Sequence, residues 1–399
     1  MKDLSNTKTL RPDKIWSRDF VLICLANFFI FLGFQMTLPT LPLFVKELGG
    51  SDQMIGVIVG SFTFTALIFR PYAGHALETK GRRFVYMLGI GIFVISLGSF
   101  AFITTMTLLI LMRMTQGIGF GLASTATGTI ATDLIPPSRR GEGMGYFGLS
   151  GNIALALGPT LGLALVGNIS FKSLFLICAA TGVAAFFLAS LVRYKKVEQS
   201  PNKAATLKFD IFEKTAIQPA LLLFFITFTF GGIASFLPLY AAEKGVPGIE
   251  GYFLVYALFL MISRLFAGKI YDQKGHVAVF LPGTVLIFGA MLLLSWLPST
   301  SIMLIAAAIY GLGFGSVQPA LQAWAVDQAP SNRKGMANAT FFSFFDLGVG
   351  LGAIIFGQIA FMFDYSVIYL TAAGSVIISM VIYIFLLVKA RQRSSMSDV

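Results

Sequence analysis

Long apolar runs alternate with short polar and charged stretches along the whole chain. A helix needs about 20 apolar residues to cross the ~30 Å hydrocarbon core of a bilayer. Twelve runs reach that length, at 20–44, 53–76, 84–104, 107–131, 142–168, 171–193, 216–241, 249–271, 278–298, 301–327, 335–362 and 365–389. The pattern predicts an all-α integral membrane protein with twelve transmembrane helices. The first run lacks a short apolar core followed by a small-residue cleavage site, so it reads as a retained helix and not a signal peptide.

The second half of the chain repeats the first. Gly74 to Gly81 (GHALETKG) returns 194 positions later as Gly268 to Gly275 (GKIYDQKG), with Arg70 matched by Arg264, Glu78 by Asp272 and Lys80 by Lys274. At the same offset Gly117-Ile-Gly-Phe-Gly121 meets Gly311-Leu-Gly-Phe-Gly315, Asp133 meets Asp327, Pro136 meets Pro330 and Gly158 meets Gly352. Single glycines recur by chance in apolar helices; charges and glycines in one fixed register do not. Two pseudo-symmetric six-helix bundles are expected, residues 1–195 and 215–399, joined by a polar linker at 196–214. Internal repeats of this kind are a hallmark of secondary transporters.

Composition and charge sharpen the picture. The chain is 56% hydrophobic and 12% charged with a mean hydropathy of +0.81, too apolar for a soluble fold of this length. Its net charge of +11 is unevenly placed. Lys2, Lys8, Arg11, Lys14 and Arg18 precede the first run, and Lys80, Arg82, Arg83, Arg139 and Arg140 follow in the even loops. The linker adds Arg193, Lys195, Lys196, Lys203, Lys208 and Lys214; Lys269, Lys274, Arg333, Lys334, Lys389, Arg391 and Arg393 complete the set. The odd loops carry only Lys46, Lys172 and Lys244. Basic residues collect on the cytoplasmic side, so both termini are expected there, in a bacterial plasma membrane. The basic balance is topology and not a nucleic-acid surface.

Cys24 and Cys178 fall inside apolar runs, and His75 and His276 sit in loops, so neither a metal nor another cofactor is expected. No phosphate-binding Gly-Lys loop is present to support ATP-driven pumping.

Twelve segments in six-plus-six form, with the Gly74, Glu78, Gly81, Arg82, Arg83 loop after the second and its worn copy after the eighth, resemble the major facilitator superfamily. The resemblance covers essentially the whole chain. It departs from the family pattern at Glu78, where aspartate is usual, and at Thr79, where a basic residue is usual. It implies a cytoplasmic gate in which Glu78 sits against the N-terminus of segment eleven, where free N–H groups favour negative charge, and Arg82 pairs with Asp133. Asp272, His276 and Asp327 are the corresponding trio of the second half.

Segment four carries Arg113, Gln116, Gly117 and Gly119, resembling a second signature of that superfamily. Arg113 lies six residues into the run, ~9 Å below its outer end. A charge at that depth costs several kcal/mol unless paired or hydrated, so Arg113 either lines a cavity or reaches back to the interface. Gly158, Pro159 and Gly162 in segment five partly match a signature that the resemblance associates with antiporters; close helix packing is the alternative. Asp346 lies eleven residues into segment eleven, near mid-membrane, and is matched in the repeat by Asn152. With Arg113 it is a proton-coupling candidate; the alternative is a structural acid, salt-bridged to Arg113 for example. Segments one, four, seven and ten line the cavity in the resembling fold, which makes Asn27, Gln35, Gln116 and Gln318, with Asn152, the substrate-contacting candidates.

The function expected is secondary active transport: proton-coupled efflux of a small amphiphilic molecule by a monomer in the lipid bilayer. Export of a specific endogenous metabolite and, less favoured, proton-coupled uptake remain as transporter alternatives. An intramembrane enzyme would need a nucleophile–base pair or metal ligands at depth, and none is visible.

Overall fold

A computed structural model describes residues 15–136, 139–194, 212–330 and 334–397, with the side chains of 78, 140–142, 334–335, 390–391 and 393–397 outside the description. Lys2, Lys8, Arg11, Lys14, Lys195, Lys196, Lys203, Lys208, Arg333 and most of the linker therefore lie outside it. Twelve membrane-length helices form among the described residues. The first six are α1 Arg18–Glu47, α2 Asp52–Thr79, α3 Arg82–Ser99, α4 Met106–Leu134, α5 Arg140–Leu165 and α6 Phe171–Ser190. The second six are α7 Ile217–Glu243, α8 Ile249–Lys274, α9 Val277–Trp296, α10 Thr300–Asp327, α11 Lys334–Met362 and α12 Tyr365–Ser397.

Local chemistry sets the helix ends. The hydroxyls of Ser17, Ser51, Thr105, Ser170 and Ser299 accept N–H bonds from the first turns of α1, α2, α4, α6 and α10. Such caps contribute about 1 kcal/mol each. Gly81 and Gly275 follow α2 and α8 at φ 91° and 74°, a region open to glycine and costly for other residues. The sequence echo marks the same tight stop in each half.

The packing is pseudo-symmetric pair by pair. In the first half α1 packs on α5 and α6, α2 on α4, and α3 on α4 and α6. In the second, α7 packs on α11 and α12, α8 on α10, and α9 on α10 and α12. The repeated glycine run explains these contacts. Gly117 and Gly121 face α2, where a Cβ on Gly121 would lie 2.8 Å from the Ala66 carbonyl oxygen, while Gly119 faces α3, 2.6 Å from the Phe93 nitrogen. Gly311 and Gly315 meet α8, and Gly313 meets α9, in the same alternation. Lipid offers no hydrophobic drive between helices, so small residues that admit close backbone contact hold the bundle together.

The halves meet through α2 on α11, α5 on α8, and α1 on α7. The first two pairs exchange under the repeat. The joining contacts cluster at the face away from the basic loops: Tyr365 donates its hydroxyl to Asp52 at 2.6 Å, and Asp52 also takes Lys46 at 2.9 Å. Thr160 donates to the Glu250 carbonyl at 3.4 Å. Toward that face α1 and α7 are enclosed on nearly every side, from Leu32 to Val45 and from Thr229 to Ala241. A Cβ on Gly56 would lie 2.6 Å from the Ala353 carbonyl oxygen. Gly56→Leu is expected to wedge this contact at a cost of about 1–3 kcal/mol. A cysteine placed at Thr63, buried against Gly350 of α11, should then label several-fold faster with an impermeant maleimide; unchanged labelling would show that the interface yields without opening.

Candidate functional site: charged groups at mid-depth

Asp346 lies twelve residues into α11, and Arg70 nine residues before the end of α2. They meet across the boundary between the halves, with an Arg70 terminal nitrogen 2.5 Å from Asp346 Oδ2 and the side chains 23% and 21% exposed. The contact is an ion pair without the directed geometry of a hydrogen bond. Asp346 is thus a paired acid, but its partner is Arg70 and not Arg113. The reason is topological: α2 and α11 run side by side, whereas α4 and α11 do not.

Arg113 is 1% exposed, so it does not reach back to the interface. It donates to Gln116 Oε1 at 2.6 Å, and its guanidinium carbon lies 4.6 Å from the centre of the Phe62 ring. Phe62 in turn packs on Phe34 and Phe120 at centroid distances of 4.9 and 5.4 Å. The positive charge is held by an amide and the negative face of a ring, leaving Arg113 Nε and Gln116 Nε2 without hydrogen-bond partners.

The second half answers with a polar ladder. Arg264 on α8 donates to Gln318 Oε1 at 3.0 Å; Gln318 donates to Gln322 at 3.3 Å, and Gln322 to Asn338 on α11 at 2.8 Å. Phe314, one turn from Gln318, packs on Phe345, the residue before Asp346. In the first half Asn27 donates to Ser150 at 2.9 Å, joining α1 to α5. Gln35 is buried against Gly158, and a Cβ on Gly162 would lie 2.5 Å from the Met36 carbonyl oxygen. Gly158, Pro159 and Gly162 accordingly seat α5 on α1. Asn152 is half-buried on α5.

At the basic face Arg82 Nε donates to Asp133 Oδ2 at 3.0 Å, and a second nitrogen to the Leu77 carbonyl at 2.9 Å. The expected Arg82–Asp133 contact is present, while Arg83 is exposed and Gly74 has open space beside it. The second-half trio is not brought together. Asp327 accepts from the Tyr271 hydroxyl at 2.9 Å, and Asp272 is exposed. His276 stacks on Trp324 at 4.3 Å and shares a 2.7 Å hydrogen bond with Tyr383. Burial lowers its pKa below the ordinary imidazole value, so it is neutral near pH 7 and makes no second Arg82. Arg82→Ala is expected to loosen one half only, shifting the balance between the two open states by on the order of 1–3 kcal/mol for a pair about a fifth exposed. Cysteine accessibility on the two faces checks this, and equal shifts from His276→Ala would contradict the asymmetry.

Arg70 and Arg264 carry more of the site than the sequence reading gave them. The signal was available: besides Arg113 they are the arginines set deep in apolar runs, at matching positions of the repeat. Shallow surface grooves lie along Val285, Phe288 and Ile377 of α9 and α12, and along Gln53, Val57, Ile354 and Gln358 of α2 and α11.

Comparison with known proteins supports the same architecture. The sequence profile of the Major Facilitator Superfamily matches residues 23–347 and 275–397. An uncharacterised MFS-type transporter of Methanocaldococcus jannaschii is 24% identical over 92% of this chain and 98% of its own length. The staphylopine export protein of Staphylococcus aureus is 23% identical over 86% of this chain and 89% of its own. The quinolone resistance protein NorA of Staphylococcus aureus is 24% identical over 88% and 93%. Among solved structures, a POT family transporter in complex with 5-aminolevulinic acid superposes with a TM-score of 0.76 at 13% identity, covering 92% of this chain and 96% of that one. The nucleoside transporter NupG gives 0.69 at 17%, covering 92% and 99%.

Proposed function

We propose, on the premise that this chain belongs to the major facilitator superfamily, that it is a proton-coupled exporter of a small amphiphilic molecule. The observation that carries the reading is the Arg70–Asp346 ion pair, which joins the two halves at mid-depth. The similarity to NorA and to the staphylopine export protein supports export over uptake.

We read the basic face as cytoplasmic from the charge bias of its loops and, with the far face closed, assign this arrangement to the cytoplasm-facing state of the cycle. In it the charge of Arg70 faces Asp346 and favours the ionised carboxylate over the protonated one, so in the proposed cycle a proton brought from outside leaves to the cytoplasm as the pair forms. Substrate then enters from the cytoplasm between the halves. Rocking about the site separates α2 from α11 at the far face, strains the pair and lets Asp346 take a new proton from outside. Protonation discharges the carboxylate and removes its attraction to Arg70, so the proton is tied to the motion that carries substrate out. Arg82 and Asp133 would take part in the cytoplasmic closure, as would Glu78, whose side chain lies outside the described residues, and Asn27, Gln35, Gln116, Asn152 and Gln318 lie along the helices that would line the path. One chain holds both halves of the site, which supports a monomer. Export of a dedicated metabolite is the second reading, favoured by the likeness to the staphylopine export protein.

Accumulation of amphiphilic dyes, sugars and metal chelators in expressing cells, with and without a protonophore, tests this. Lower accumulation of one class, restored by the protonophore, is expected. Raised accumulation would establish uptake instead.

A further inference from the structure

The intramembrane charges do not balance. Three arginines, Arg70, Arg113 and Arg264, stand deep in the apolar segments against one acid, Asp346. Asp346 neutralises Arg70. The other two are held by neutral groups: Arg113 by Gln116 and the Phe62 ring, Arg264 by Gln318. Charge kept at depth without a counter-ion is costly, and a fold needing only packing there would do as well with an apolar residue.

The repeat makes the imbalance sharper. Under it, the α2–α11 pair Arg70–Asp346 corresponds to Arg264 on α8 and Asn152 on α5, and α8 packs on α5 as α2 packs on α11. An uncharged amide thus stands where the carboxylate belongs, and Arg264 turns to Gln318. The two cations also differ in access. Arg113 is sealed, whereas Arg264 is partly exposed, lies ten residues from the basic end of α8, and heads an amide ladder that runs toward that face through Gln318, Gln322 and Asn338. Its Nε has no hydrogen-bond partner.

We propose that the transported molecule is an organic acid and that the Arg264 guanidinium receives its carboxylate, displacing the Gln318 oxygen. The inference rests on the export reading and narrows its substrate to amphiphiles bearing negative charge. A guanidinium fork matches a carboxylate with two parallel charged hydrogen bonds, which a single amide oxygen cannot supply. The freed Gln318 amide then donates to the same ligand. The bound anion brings the count at depth to two negative groups against three positive.

Two probes with one fluorophore and opposite charge test it: dansylglycine, a carboxylate, and dansylcadaverine, an ammonium. Binding to the purified full-length protein is read by fluorescence, and transport by uptake into everted vesicles with an acidic interior. Dansylglycine should bind and be carried in preference to dansylcadaverine. Arg264→Gln should weaken its binding by about tenfold or more, with Arg264→Lys retaining part. Gln318→Glu, which supplies an internal carboxylate to Arg264, should raise thermal stability and abolish dansylglycine binding. Preference for dansylcadaverine, or dansylglycine binding that survives both Arg264→Gln and Gln318→Glu, overturns the inference and leaves export standing. Dansylglycine binding lost in both variants but without vesicle uptake in wild type supports the anion site and counts against proton-driven export. Neither probe bound nor carried overturns the amphiphile reading and the inference with it.

Discussion

Asp346→Asn is expected to abolish proton-driven transport while leaving the protein folded and inserted in the membrane. The substitution keeps the size of the side chain and removes its titration and charge. Arg70 then loses its counter-ion. Breaking a fully buried pair costs ~3–5 kcal/mol; with both groups about a fifth exposed, water offsets part of this, leaving a loss on the order of 1–3 kcal/mol. A stability loss alone would not establish coupling, so the decisive readout is exchange. Substrate counterflow between equal pools needs no net proton movement and should persist in Asp346→Asn, whereas uphill transport should not. Loss of both activities would make Asp346 a structural acid. Arg70→Gln added to Asp346→Asn should recover stability without recovering uphill transport.

Arg113→Met should reduce transport by at least about tenfold, a loss of ~1.4 kcal/mol or more in the limiting step. Its thermal stability should hold or rise, because replacing a buried charge by an apolar side chain of similar length is often neutral or stabilising. The two effects separate a working cation from a packing element. Arg113 is sealed, seven residues into α4, and the proposed cycle uncovers it when the halves part at the far face. In the proposed cycle it is the cation that substrate meets on leaving. Stability measured by thermal unfolding, beside transport in vesicles, gives the comparison. Full transport by Arg113→Met would reduce the residue to packing.

Helix count, order and the internal two-fold were legible in the sequence because they follow from run length and fixed register. The Gly117 and Gly311 runs, Gly81 and Gly275 each recur for a reason visible in the structure: close approach or a left-handed stop. The Arg82–Asp133 contact was also legible, since the family resemblance pairs the arginine of the signature after α2 with the acid at the end of α4. Partners between distant helices were not. Nothing in a single sequence says that α11 lies beside α2 and not α4, so Asp346 was weighed against Arg113 and its pairing with Arg70 was missed. His276 misled for a related reason. Matching position in the repeat suggested a matching role, but an imidazole stacks on Trp324 where a guanidinium would seek an acid. The ladder from Arg264 to Asn338 joins three helices through side chains that look unremarkable one at a time.

The central claim is that proton movement is tied to substrate movement through Asp346. Purified protein in proteoliposomes with an internal pH dye and an imposed substrate gradient tests it most directly. Substrate flowing one way should drive protons the other way in wild-type protein, and in Asp346→Asn the pH trace should stay flat while counterflow continues. Substrate movement with no pH change in wild type, or the same pH change in Asp346→Asn, would contradict the account.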